Sequence, residues 1–517
     1  MKKTICTAAA VLFAVTSAAM PVSAIEAGTY QQRREIIQKL GITDFPDPNA
    51  GYLTVTEGDF EFRLYDGFAV LSDCKNTEIE SAVIPGTVED LPVTGIVDDP
   101  FRFCRKLTSI TLPDSFTHFQ WDHLINTFSV RSDSDENPMP SVKEVLVSET
   151  NPNFTVQDGM LYSKDMKMLI GCPPASEQTE LHIAEETDSI GEYAFFACIA
   201  LEKAIVPDQI QHIHCNAFTA CFNLTYAELP ESITVVSGDL FYYCQKLEQV
   251  VFRGDIQTIG YGAFNQCTAL TSLEIPETVT QIGWHAFDGT GCCENEDGLL
   301  YVQNWLVGSE DSASEIRLRA GTDSIAEMAV FSGHTISYIE VPASIKNYGF
   351  LPFSTVSVSV RAEVHYDAAE MPERFISNVK NAEDIYIYDP DCVIFDSAKT
   401  IPATFEYTPQ DTVELTPIDA GSFFDAPTCK GDAVIHGYAN STAQAYAEKY
   451  ERKFVEIEPS GDLNCDGFVN TKDAVLLQKY LLGASESLAR WKAADLNSDG
   501  RLHAVDLTLL LQMILNA

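Results

Sequence analysis

Ile190-Gly191-Glu192-Tyr193-Ala194-Phe195-Phe196-Ala197-Cys198-Ile199-Ala200-Leu201 returns, three periods on, as Ile259-Gly260-Tyr261-Gly262-Ala263-Phe264-Asn265-Gln266-Cys267-Thr268-Ala269-Leu270. The slots between them recur every 23 residues without slippage. Phe195, Phe218, Phe241, Phe264 and Phe287 make one column, and Cys198, Cys221, Cys244 and Cys267 a second. Leu201, Leu224, Leu247 and Leu270 make a third, and Ile190, Ile213, Val236, Ile259 and Ile282 a fourth. A unit this short cannot bury its own apolar face, so a repeat of this period predicts a solenoid in which successive coils share one continuous core.

Each unit carries a short alternating segment after its Leu: Ala204 and Val206, Ala227 and Leu229, Val250 and Phe252, Leu273 and Ile275. That is strand spacing with one face buried. Pro207, Pro230 and Pro276 end the segments, because proline has no N–H for the ladder. The outward positions, such as Lys203, Tyr226, Gln249 and Ser272, share no chemistry from coil to coil. They predict neither an aromatic stripe nor a face of one charge.

Upstream, Ile96, Phe101, Cys104, Leu107, Leu112 and Pro113 reproduce the same offsets, so the array begins by about residue 95. Asp158-Gly159-Met160-Leu161-Tyr162 and Asp297-Gly298-Leu299-Leu300-Tyr301 read as two hairpin-forming variant coils, and Arg131–Pro138 as a polar insertion. The repeat resumes at Ile325, with Val330 in the Phe slot and Ile336 in the Leu slot, and fades beyond residue 350. Strands are still expected at Tyr386–Tyr388 and Val393–Phe395, a helix at Ser441–Tyr450 and a last strand at Lys453–Ile457. The Ile-Gly-x-x-Ala-Phe-x-x-Cys-x-x-Leu pattern resembles the bacterial surface-antigen type of leucine-rich repeat, over most of residues 51–457. Tyr438-Ala439-Asn440-Ser441-Thr442-Ala443 looks like the usual end of such an array. The resemblance implies ligand or surface binding.

Lys2 and Lys3, an apolar run to Ala19 and the small-residue site Val22-Ser23-Ala24 read as an export signal, residues 1–24. Residues 25–50 hold a helical segment, Thr29–Leu40, expected to cap the first coil. No later apolar run reaches the roughly 18 residues that span a bilayer. The expected location is therefore extracellular, with no transmembrane anchor. Formal charge is −42, and −44 once the two lysines of the signal are gone, a sign that disfavours nucleic acid and anionic membranes. Thirteen of the fourteen cysteines follow the signal, an odd number that argues against a fully paired disulfide framework. Buried reduced thiols are expected in the column, which suits an anaerobic bacterium.

From Gly461 a second, unrelated duplication appears. Asp462, Asn464, Asp466, Gly467, Asn470 and Asp473 stand at positions 1, 3, 5, 6, 9 and 12 of a calcium loop. Asp495, Asn497, Asp499, Gly500, His503 and Asp506 repeat the set 33 residues later. Calcium takes six to eight hard oxygen ligands, and this spacing gathers them from one turn. Position 7 adds the carbonyls of Phe468 and Arg501, and His503 acts through water. Two Ca2+ ions are expected. Position 12 is Asp rather than the Glu of an EF-hand, no helix precedes the first loop, and helices follow at Ala474–Leu482 and Leu507–Leu515.

Paired loop–helix units ending in Asp resemble a dockerin, the calcium-dependent plug that binds a cohesin on a cellulosome scaffold, over residues 461–517. The resemblance implies that Thr471, Lys472, Gln478 and Lys479 in one half, and Ala504, Val505, Leu511 and Gln512 in the other, meet the cohesin. These halves differ, which weighs against interchangeable two-way docking. Leu509-Leu510-Leu511 is more apolar than one core face needs. Six of the seven acidic residues in the segment are loop ligands, so calcium and folding are expected to be coupled.

No catalytic motif of the His-Glu-x-x-His, Gly-x-Ser-x-Gly or Walker type occurs. His212 and His214 flank the core slot Ile213, so they are expected to point outward rather than hold a metal. The expected architecture is α+β: a leucine-rich-repeat solenoid over residues 51–457, then a small all-α tail. The expected role is a non-catalytic scaffold-attached protein of polysaccharide breakdown whose solenoid binds a protein or polysaccharide. The alternative is an accessory hydrolase of plant polysaccharide or peptide with its site in residues 350–430.

Overall fold

The computed structural model describes residues 52–97, 100–101, 103–117, 142–310, 313–332, 336–355, 362–372, 375–376, 379, 382–398, 400–402, 432–464, 468–485, 488, 491–497 and 499–516. The export signal, the helix expected at Thr29–Leu40, the Arg131–Pro138 insertion and the ligand Asp466 lie outside them. So does much of the segment 350–430. The chain divides into two compact units, residues 22–293 and a unit that includes residues 294–517. The architecture is a strand-rich solenoid of about 13 turns followed by a small helical tail.

In the first unit an antiparallel meander, Leu53–Glu57, Phe60–Tyr65 and Phe68–Cys74, starts the array. Its last strand pairs in parallel with Leu91–Ile96. Phe154–Gln157 and Met160–Ser163 then form the hairpin expected at Asp158-Gly159, where φ is +50° and +79°. Two consecutive left-handed residues match a turn twisted like its flanking strands.

The 23-residue repeat becomes a ladder. Tyr226 pairs with Lys203 and Gln249, Ala227 with Ala204 and Val250. Leu273 and Ile275 are buried but form no strand, against the sequence expectation. They lie at the unit's edge, where no later strand in the unit offers a second partner. On the core side the Phe rings stack, Phe195 on Phe218 at 5.1 Å between centroids, then Phe241, Phe264 and Phe287 at 5.6–5.8 Å. Every ring in the column is at most 2 % exposed. The column cysteines are free thiols, as expected. Cys221, Cys244 and Cys267 each donate to the Phe carbonyl of the preceding coil at 3.0–3.1 Å. Burial pushes their thiols up and keeps them neutral.

Two corners of each coil are left-handed. One falls at Tyr193, Asn216, Asp239, Gly262 and His285, the other at Ala197, Ala220, Tyr243, Gln266 and Gly289. Only two of these ten are glycine, so the turn chemistry is invisible in the sequence. A β-carbon on Gly262 would lie 2.1 Å from Asp239 Oδ1.

In the second unit, Glu294–Glu296 and Leu299–Val302 form the other expected hairpin. Six parallel strands follow in order: Glu315–Arg317, Tyr338–Val341, Ala362–Tyr366, Ala382–Ile387, Val434–Gly437 and Phe454–Glu456. Their inward residues Ile316, Ile339, Val364, Ile385 and Ile435 stay in register although their spacing drifts from 23. Helix α1, Thr442–Lys449, closes this sheet; Ser441 caps it by accepting from the Gln444 N–H.

The outward side of this sheet corrects the expectation of no aromatic column. Tyr338, His365, Tyr386 and His436 stack in succession with centroids 4.7, 4.6 and 4.2 Å apart, and Arg317 lies 3.8 Å over Tyr338. Fading periodicity hid the column from the sequence. These rings cover one another's faces, so they rigidify the sheet rather than offer flat platforms to a sugar.

Candidate functional site

The tail is built from helix α2 (Thr471–Leu481), a single turn α3 (Trp491–Ala494) and helix α4 (Ala504–Asn516). Helices α2 and α4 begin three residues earlier than the apolar pattern indicated, because the end of each loop is the first turn of its helix. Asn470 is the N-cap of α2, accepting from the Lys472 N–H at 2.9 Å, and Asp473 completes the capping box. The turn α3 ahead of the second loop was not legible, being only one turn long.

Asp473 is fully buried. Its Oδ1 accepts from the N–H groups of Leu463 (2.8 Å) and Asn464 (3.1 Å), and Oδ2 from Asn470 N–H (2.8 Å). The last ligand position thus folds the loop back onto its own start. In the second loop Asp495, 5 % exposed, accepts from Asp499 N–H at 3.0 Å and Gly500 N–H at 2.8 Å. Gly500 has φ +78°, the left-handed bend that position 6 requires. Asn497 Oδ1 accepts from the Asp499 N–H at 3.2 Å, and Asp499 Oδ1 from the Arg501 N–H at 3.0 Å.

His503 bridges the loop. Its Nε2 lies 2.7 Å from Asp499 Oδ2, and its Nδ1 lies 3.1 Å from Asp506 Oδ2. The bond to Asp499 raises the His503 pKa, and the same bond holds the Asp499 carboxyl below its ordinary range. Asp506 is fully buried and accepts from the His503 N–H at 2.9 Å through Oδ2. Its Oδ1 is buried and accepts no hydrogen bond from the described residues. A carboxylate oxygen stripped of water and of donors is costly unless a cation neutralises it. The donor set therefore fits a hard divalent ion: carboxylate and amide oxygens, with carbonyls at Phe468 and Arg501. Among the described residues no three Asp, Glu, His or Cys side chains form a ready metal-holding group. The loop carboxylates face the loops' own N–H groups instead, and Asp466 lies outside the described residues. His212 is exposed and His214 half-buried, 3.3 Å from Ser189 Oγ, as expected of outward residues.

The tail's core holds Leu463, Ala474, Leu477, Ala493, Ala494 and Leu510. Tyr438, from the end of the solenoid sheet, belongs to the same cluster. Lys492 Nζ donates to the Ala439 carbonyl at 2.7 Å. All eight residues assigned to partner contact, Thr471, Lys472, Gln478, Lys479, Ala504, Val505, Leu511 and Gln512, are exposed. The leucine run divides: Leu510 is core, whereas Leu511 is 42 % exposed. Val475, Leu482, Met513 and Leu515 are exposed as well, an apolar surface the sequence reading had not gathered.

Family comparison matches residues 72–133 and 175–294 to a BspA type leucine rich repeat region, in six copies, and residues 460–515 to a dockerin type I domain. The chain carries both modules. Dockerin type I domains are calcium-binding in general and imply a cohesin partner; neither matched family is catalytic. No curated protein matches the chain. Similar solved structures include a leucine rich cell surface protein from Faecalibacterium prausnitzii A2-165, 20 % identical, covering 78 % of this chain and 94 % of that one at a TM-score of 0.28. A leucine-rich repeat protein from Bacteroides ovatus is 18 % identical and covers 80 % of this chain and 100 % of that one at 0.30. No helix among the described residues is long and apolar enough to cross a membrane.

Proposed function

We propose that this chain is a secreted, non-catalytic component of a cellulosome-like complex. Residues 461–517 dock on a cohesin of the scaffold, and residues 51–457 bind a protein or polysaccharide. Residues 1–24 direct export, and residues 25–50 cap the first coil. Asp462, Asn464, Asp466, Asn470, Asp473 and the Phe468 carbonyl hold one Ca2+. Asp495, Asn497, Asp499, Asp506, the Arg501 carbonyl and a water on His503 hold a second. Bound calcium supplies the positive charge that lets these oxygens pack together, and so couples docking to folding.

The observation that carries this reading is the buried Oδ1 of Asp506, which accepts no hydrogen bond from the described residues and belongs to the twelfth residue of a loop in a dockerin match. The exposed apolar residues of α2 and α4 support a protein partner for the same module. The test is capture of the full chain on an immobilised cohesin, with and without a calcium chelator. Capture should fail in chelator, and Asp473→Ala or Asp506→Asn should weaken it at least tenfold at limiting calcium. Capture indifferent to chelator would remove the basis for the proposal.

A further inference from the structure

The last regular coil of the first unit departs from the column chemistry. Three residues after Phe287, where the other coils place cysteine, stands Thr290; three further on, in the leucine slot, stands Cys293, with Cys292 before it. Consecutive side chains in extended backbone point to opposite faces. Here Gly291 and Cys292 form a turn, and both sulfurs converge on one hydroxyl. Thr290 Oγ1 lies 3.3 Å from Cys292 Sγ and 3.4 Å from Cys293 Sγ. Cys293 also reaches the Phe287 carbonyl at 3.4 Å. Both cysteines are half-buried, within reach of a small solute, whereas the column thiols Cys221, Cys244 and Cys267 are fully buried.

We propose that Cys292 and Cys293 form a redox modification site that closes to a vicinal disulfide by exchange with a small-molecule disulfide. Cys292 is the attacking thiol. Its neighbour Cys293 draws its pKa down to about 7, so a substantial share is thiolate at neutral pH. The neighbouring Cys292, with burial, raises Cys293 and keeps it protonated until exchange begins. The thiolate of Cys292 attacks one sulfur of the reagent RSSR; the reagent's S–S bond breaks, and the first RS⁻ leaves. Cys293 then gives its proton to solvent and attacks the Cys292 sulfur of the mixed disulfide, expelling the second RS⁻. The dithiol loses two hydrogens, RSSR gains them as two RSH, and no other oxidant is required. Closure joins the two sulfurs and takes them from Thr290 and the Phe287 carbonyl, so the change is felt in the last Phe-column coil.

The test treats the native, reduced full chain with one equivalent of an aromatic disulfide whose thiolate is coloured. Released thiolate is counted, and cysteine-containing peptides are mapped by mass. The expected result is a fast phase releasing two thiolates per reagent consumed, with the 292–293 peptide lighter by two hydrogens and carrying no adduct. Cys293→Ser should instead keep a stable adduct on Cys292 and release one thiolate, and Cys292→Ser should lose the fast phase. Mapping of the unsubstituted chain stands even if a variant misfolds. A fast phase that maps to another cysteine, or an adduct on Cys292 that persists in the unsubstituted chain, overturns the proposal.

Discussion

Phe241→Ala is expected to cost more stability than the same change at Phe195, and the difference follows from the geometry of the column. Both rings are at most 1 % exposed, so each truncation removes similar apolar area and leaves a ring-sized cavity, roughly 3–5 kcal/mol. Phe241 lies between two stacked partners, Phe218 at 5.6 Å and Phe264 at 5.8 Å. Phe195 stacks on Phe218 alone among the described rings. The interior ring therefore forfeits one additional aromatic pair, about 0.5–1.5 kcal/mol. A solenoid opens locally, so a single global melting point would blur the effect. Native-state hydrogen exchange read peptide by peptide measures the opening free energy of each coil. In the Phe241 variant, protection should fall at the amides of Phe218, Phe241 and Phe264, whose N–H groups bond to the next coil's carbonyls at 2.9–3.0 Å. An equal or larger loss for Phe195→Ala would refute the column as a cooperative stack.

Tyr438→Ala should destabilise the C-terminal tail by about 3 kcal/mol, since its ring is 4 % exposed within the tail's own core; exchange protection in peptides of α4 reads the effect. Gly262→Ala should lower the stability of its coil by about 1–2 kcal/mol, because φ is +57° and the new methyl meets Asp239; urea unfolding followed by exchange checks it. Alkylation of Cys292 by iodoacetamide should rise with pH through a midpoint near 7 and then level, because its pKa is lowered to about that value. The thiols of Cys221 and Cys244 should stay unmodified throughout, and a titration midpoint above 8 for Cys292 would contradict the lowering of its pKa by Cys293.

What could be read in advance depended on whether one residue or several determined the feature. The 23-residue columns set the ladder register and the stacked rings, because each buried slot admits a narrow class of side chain, Phe in one column, a small thiol in the next and Leu in the third. The tail was legible as a dockerin-type spacing, matched over residues 460–515; that its carboxylates face the loops' own N–H groups was not legible, since that depends on the backbone of each turn. The left-handed corners were not, since Tyr193, Ala197 and Gln266 adopt them under tertiary constraint rather than by preference. Beyond residue 350 the strands near Tyr386, Val393 and Lys453 were legible, but the parallel sheet that joins the first and last of them was not, because Val364, Ile385 and Ile435 keep register through loops of unequal length, which periodicity cannot follow. The Cys292-Cys293 convergence needed coordinates, as nothing in the dipeptide says on which side its sulfurs lie.

Tyr438 carries a consequence for how such proteins can be rearranged. Because an aromatic ring from the final coil fills space among Leu463, Leu477 and Leu510, the tail is not freely transplantable. Cut out at residue 460, it would leave behind a piece of its own interior and expose a gap. Chimaeras that retain residues 432–517 together should dock better than those joined at the apparent boundary.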